Sequence, residues 1–138
     1  MCVDNSEQAR ELRETFRDRN YGAETEFVWG VEGLVQISSD PEVDLVVAGI
    51  VGAAGLQPTF SAVQAGKTVA VANKEPLVMA GELFVQTANK TGAKLLPTDS
   101  EHNAIFQALH GESPERIARL ILTASGGPFR DLPLKEFE

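Results

Sequence analysis

Asp44 to Val51 reads DLVVAGIV, and after the leading Asp it is an apolar, largely β-branched run closed by Gly52-Ala53-Ala54-Gly55. That composition predicts a strand of a parallel sheet covered on both faces, where neither side of the strand meets water. Gln57 to Ala65 has a helical pattern, and Gly66 ends it. Lys67 to Ala72, KTVAVA, is the next strand, and Glu75 to Thr91 the next helix, with Pro76 suited to a first turn that needs no N–H there. Gly92 closes that helix, and a third strand starts over Lys94 to Leu96. Glu101 to Leu109 reads as a helix, and Arg119 to Thr123, RLILT, as a fourth strand. Strands alternating with helices at this spacing predict βαβ units and an α/β fold.

Upstream, Ser6 to Asn20 is rich in helix formers, with Leu12 and Phe16 four apart and Asn20-Tyr21-Gly22 as the stop. Phe27-Val28-Trp29 predicts a short strand, and Glu32 to Ser39 a short helix. The 138 residues allow one domain with a proper core. The chain stops at Lys135-Glu136-Phe137-Glu138 without a closing element, which predicts a piece of a longer protein.

Twelve Lys and Arg against 20 Asp and Glu give a formal net charge of -8. A surface for nucleic acid is basic, so binding through phosphates is not expected. No apolar run approaches the ~18 residues of a membrane span. The lone Cys2 offers no disulfide framework within the chain and fits a reducing compartment.

Ligands of open α/β sheets bind beyond the carboxyl ends of the strands. Four polar segments fall there: Gly52 to Gly55, Asn73-Lys74-Glu75, Thr98 to Asn103, and Ser125-Gly126-Gly127. Asp99 and Glu101 alternate, and alternate residues of an extended segment share a side. Two carboxylates on one side suit a hard divalent cation such as Mg²⁺ or Mn²⁺. The local pattern by itself favours a helix start, where Thr98, Asp99 or Ser100 caps and acidic groups suit the dipole, and the two readings coexist if one residue caps and the others bind. His102 reads as a partner of a metal ligand, as a general acid or base, or as a solvated histidine. Lys74 offers a point charge to a phosphate or enolate oxygen, or stands exposed beside an N-cap Asn73. Ser125-Gly126-Gly127 fits a phosphate or a plain tight turn, and Gly52 to Gly55 does not match G-x-G-x-x-G.

Taken together, five stretches are similar to the 1-deoxy-D-xylulose 5-phosphate reductoisomerase family. In order they are YGAETEFVWGVEGL, IVGAAGLQPT, AGKTVAVANKEPLVMAGE, LLPTDSEHNAIFQAL and ILTASGGPFRD, spanning about Tyr21 to Asp131. PTDSEHNAIFQ and TASGGPFR are the most specific of them. The resemblance implies a Rossmann-like NADPH domain followed by a catalytic domain, with residues 1–97 in the first and 98–138 opening the second. It implies rearrangement of a sugar phosphate, 1-deoxy-D-xylulose 5-phosphate, to an aldehyde. NADPH then reduces the aldehyde to 2-C-methyl-D-erythritol 4-phosphate, in non-mevalonate isoprenoid synthesis. Mn²⁺ or Mg²⁺, a homodimer, and a bacterial cytoplasm (with a plastid as the alternative) are further implications. Carried over by residue, Asp99 and Glu101 match metal ligands, and Ser100 and Glu101 match substrate contacts. Lys74 matches a substrate-contacting lysine, and Lys74 and Glu101 are the catalytic candidates. Asn73 and Glu75 match the NADPH side, and Ser125 matches a substrate-binding serine.

Pro76 stands where the family usually has Ser, and Gly49 and Met79 are also less usual. The family's glycine-rich cofactor loop, roughly GSTGSIG, has no counterpart in this sequence, nor do its later His, Asn-Lys and third metal-ligating Glu. The expectation is that these 138 residues alone are inactive. Two other readings stay open at this point: a sugar-phosphate isomerase or aldolase with the same metal clamp and no NADPH, and a binding module in which DSEHN only caps a helix.

Overall fold

The structure is a computed structural model that describes residues 1–19, 24–123 and 131–136. Two compact units divide the chain, Met1–Leu96 and Pro97–Glu138.

In the first unit, β3 (Leu45–Ala48) and β4 (Thr68–Val71) pair in parallel, Leu45 opposite Thr68 and Ala48 opposite Val71. A parallel pair needs a crossover, and α3 (Leu56–Gln64) supplies it after a 3-10 turn over Gly52–Gly55. β5 (Lys94–Pro97) adds the third strand, in the order β3-β4-β5. The central strand behaves as its composition predicts: Val69, Ala70 and Val71 are all buried. β3 does not. Leu45 is 51% and Val47 68% exposed, because these alternate residues share the face of β3 that the described elements leave open, while Val46 and Ala48 turn to the core. The expectation of cover on both faces therefore holds for β4 and fails for β3.

α4 (Glu75–Thr91) packs on α3 through Phe84, which is fully buried and meets Phe60 edge-on at 5.2 Å. Ala48, Ala62, Val63, Val69, Val71 and Ala88 complete that core. Burying a side chain of Phe84's size stabilises by roughly 2–3 kcal/mol. α4 breaks at Ala80, whose φ of -145° and ψ of 28° leave the helical region, and Gly92 ends it in the left-handed region at φ 79°. Pro76 lies in its first turn and is fully buried. There the missing N–H costs nothing, so proline suits the helix start.

The start of the unit holds a small parallel pair, β1 (Cys2–Val3) with β2 (Val28–Trp29). β1 is too short to show a period, and the sequence reading passed over it. α1 (Ser6–Asp18) is capped by Asn5, whose side chain accepts the Gln8 N–H at 3.0 Å. Its expected stop at Asn20-Tyr21-Gly22 lies outside the described residues. α2 (Gly30–Ser39) lies close on β1 and β2 at Gly33, where a Cβ would come within 3.0 Å of a Val28 methyl and 3.1 Å of the Cys2 sulfur.

The second unit contains α5 (Ser100–Leu109), then short 3-10 turns at Pro114–Arg116 and Leu134–Glu136. The expected strand over Arg119 to Thr123 is not formed. Those residues take no regular structure, and Leu120, Ile121 and Leu122 are 57%, 66% and 56% exposed. A strand exists only through a partner that takes its backbone hydrogen bonds, and no described strand pairs with this run. Among the described residues no helix is long and apolar enough to cross a membrane.

Candidate active site

The carboxyl ends of β3 and β4 are clamped together before any ligand is considered. The N–H groups of Ala72 and Asn73 both donate to the Ala48 carbonyl, at 3.1 and 3.0 Å. Asn73 is 6% exposed. Its Nδ2 donates to the carbonyls of Ile50 at 2.6 Å and Gly52 at 3.3 Å, and its Oδ1 accepts the Glu75 N–H at 3.0 Å. One amide thus joins the turn after β3 to the first residue of α4. Lys74 is the exposed N-cap residue of α4, and its carbonyl accepts the N–H groups of Leu77 and Val78. Glu75 is exposed in the first turn, where an acid favours the helix dipole.

The turn itself is narrow. A Cβ on Gly55 would lie 2.5 Å from the Ile50 carbonyl oxygen. Thr59 Oγ1 donates to the Gly55 carbonyl at 2.6 Å in a buried bond. A phosphate-bearing cofactor fits such a place: it lies at a strand's carboxyl end, where Ala53 and Ala54 are small and exposed and allow close approach.

In the second unit, Asp99 is the N-cap of α5 with extended φ and ψ. Its Oδ1 accepts the His102 N–H at 3.1 Å and lies 2.6 Å from His102 Nδ1. The Asp99 side chain is only 14% exposed, whereas that of His102 is 51% exposed. Ser100 is exposed at the first helical position, and Glu101 follows, half-buried. The capping alternative is therefore realised, and the extended-segment argument for Asp99 and Glu101 is corrected. The helix begins at Ser100, so the two carboxylates come from one helix start and not from alternate positions of a strand. Their oxygen donors still fit a hard cation in kind, with water completing the shell. Among the described residues no set of three or more His, Cys, Asp or Glu side chains gathers as a metal cage.

Asn73, Lys74 and Glu75 thus belong to one unit, and Asp99, Ser100 and Glu101 to the other. Ser125 lies outside the described residues. His102 is the residue that sequence reasoning left undecided. Its position three after an N-cap Asp is the available signal, since a side chain there reaches back to the cap.

Comparison with known proteins places these residues in a family. A family model described as 1-deoxy-D-xylulose 5-phosphate reductoisomerase matches residues 1–81. The chain belongs to the 1-deoxy-D-xylulose 5-phosphate reductoisomerase family. The model of the family's C-terminal domain matches residues 95–138, including Asp99 to His102. The 1-deoxy-D-xylulose 5-phosphate reductoisomerase of Pseudomonas fluorescens SBW25 is 54% identical over 141 residues, covering 99% of this chain and 35% of its own length. That of Actinobacillus pleuropneumoniae JL03 is 49% identical over 146 residues, with 99% and 36% covered. The chain thus spans about a third of the length of the curated relatives it matches. The fold agrees. The reductoisomerase from Zymomonas mobilis in complex with NADPH superposes with a TM-score of 0.75 at 40% identity, over 98% of this chain and 34% of that one. A DOX-P reductoisomerase in complex with NADPH, fosmidomycin and magnesium gives 0.72 at 47% identity, over 80% and 28%. The α/β, Rossmann-like class read from the sequence is that of these structures.

Proposed function

We propose that this chain supplies part of the NADPH-binding domain (residues 1–97) and the start of the catalytic domain (residues 98–138) of a 1-deoxy-D-xylulose 5-phosphate reductoisomerase. The whole protein converts 1-deoxy-D-xylulose 5-phosphate to 2-C-methyl-D-erythritol 4-phosphate, as a homodimer in a bacterial cytoplasm, with a plastid as the alternative setting. The observation that carries the reading is the pair Asp99 and Glu101 at the start of α5, inside a segment matched by the family's C-terminal domain model.

In this reading Asp99 and Glu101 hold Mn²⁺ or Mg²⁺. The metal supplies Lewis acidity to neighbouring substrate oxygens, and NADPH supplies the hydride. The chain's own residues bind and orient. Ser100 and Ser125 present hydroxyls to the sugar phosphate. Lys74 places a positive charge against oxygen where negative charge develops. Glu101, half-buried in the first turn of α5, would contact the substrate as well as bind the metal, which makes it a catalytic candidate beside Lys74. Asn73 and Glu75 shape the NADPH side.

The test is NADPH consumption with 1-deoxy-D-xylulose 5-phosphate and Mn²⁺. It is run on the 138 residues and on a protein lengthened to the extent of the relatives. The expected result is turnover in the lengthened protein only, reduced at least about a hundredfold by Glu101→Gln. Turnover that survives Glu101→Gln, or none in either protein, overturns the reading.

A further inference from the structure

We infer that Asn73 serves the dinucleotide as a positioning residue, fixing the Ile50–Gly55 turn and the start of α4, and does not bond the cofactor through its side-chain N–H groups. The inference rests on the proposed NADPH site and refines it. A side-chain amide has two N–H donors. Both are committed within the protein, to Ile50 O at 2.6 Å and Gly52 O at 3.3 Å, and Oδ1 receives the Glu75 N–H at 3.0 Å. At 6% exposure, Asn73 presents little surface to a ligand.

What the amide holds is well defined. The Ile50 carbonyl lies in irregular backbone after β3 and needs a partner that no strand provides, and the Gly52 carbonyl opens the 3-10 turn that follows. The turn is drawn in so far that Gly55 has room only for hydrogen: a Cβ there would meet Ile50 O at 2.5 Å and Asn73 Nδ2 at 3.5 Å. Gly55 and Asn73 thus act on the same carbonyl, one by yielding space and the other by donating. Disturbing either moves Ile50, and with it the backbone that leads into α3.

Asn73→Asp tests this with little change of shape. The carboxylate still accepts the Glu75 N–H but sets an oxygen against the carbonyls of Ile50 and Gly52. Gly55→Ala reaches the same carbonyl from the other side and serves as the second variant. On the protein lengthened to the extent of its relatives, we would measure NADPH affinity by fluorescence titration and amide hydrogen exchange at residues 50–55. Each single variant is expected to raise the NADPH Kd about tenfold and to speed exchange in the turn. The double variant is expected to bind no worse than the weaker single, because both act through one element. A weakened Kd for Asn73→Asp with unchanged exchange, or single effects that multiply in the double variant, overturns the inference. Failure of the unsubstituted protein to bind NADPH overturns the functional reading instead, and the exchange data still decide whether Asn73 holds the turn.

Discussion

Asp99 accepts the His102 N–H and meets the same residue's Nδ1 through one oxygen, so it caps α5 whatever else it does. Substitution separates the two roles. Asn is as good an N-cap as Asp but carries no charge. Asp99→Asn is expected to change stability by less than about 0.5 kcal/mol and to weaken Mn²⁺ binding at least about tenfold. Asp99→Ala is expected to lose both, with about 1 kcal/mol of stability from the missing cap. Chemical denaturation and Mn²⁺ titration by electron paramagnetic resonance read the two effects apart. Equal Mn²⁺ affinity in all three proteins would leave only the cap. The chemical character of Asp99 and Glu101 could be read from their neighbours in sequence, because a cap and a carboxylate pair are local patterns. The bonding of Asn73 could not. Its partner Ile50 is 23 residues away and becomes a neighbour only after β3 and β4 pair.

Among the helices and strands, periodicity and glycine punctuation sufficed wherever an element had length. The span Glu75–Thr91 of α4 agrees with its sequence reading, from Pro76 at the start to Gly92 at the end. The errors share a cause. Arg119 to Thr123 is apolar enough for a strand, but a strand is made by its partner, and the sequence of one segment carries no record of that. β1 is two residues long and acquires its identity only from β2. The packing of α4 on α3 gives a sharp prediction. Phe84→Ala removes a fully buried ring in contact with Phe60, and is expected to cost about 3–5 kcal/mol. Urea unfolding followed by circular dichroism would show a lowered midpoint. A loss below about 1 kcal/mol would mean that the α3–α4 layer is looser than described.

At the scale of the molecule, β3 is an open edge among the described residues. Thr68 N–H donates to Asp44 O, and Ala72 N–H to Ala48 O, so residues 44, 46 and 48 turn their backbone groups toward β4. Leu45 and Val47 turn theirs the other way, where no described strand meets them. Such an edge invites pairing with another chain. Concentration-dependent self-association of the 138 residues is expected, and Val47→Lys is expected to suppress it with less than about 0.5 kcal/mol of stability change. Sedimentation velocity on both proteins decides the matter, and an unchanged distribution for Val47→Lys would clear this edge of the role.

The break in α4 at Ala80 has a consequence for how the sequence can drift. Before it, Pro76 and the Asn73 bond to Glu75 hold the first turn to the strand ends. After it, Phe84 and Ala88 hold the rest of the helix to the core. A straight rod would have to satisfy both attachments with one axis, so every core substitution would swing Lys74. With a joint between them, each half answers to its own neighbours. Changes in the α3–α4 layer can accumulate over generations while the first turn of α4 keeps its place at the strand ends.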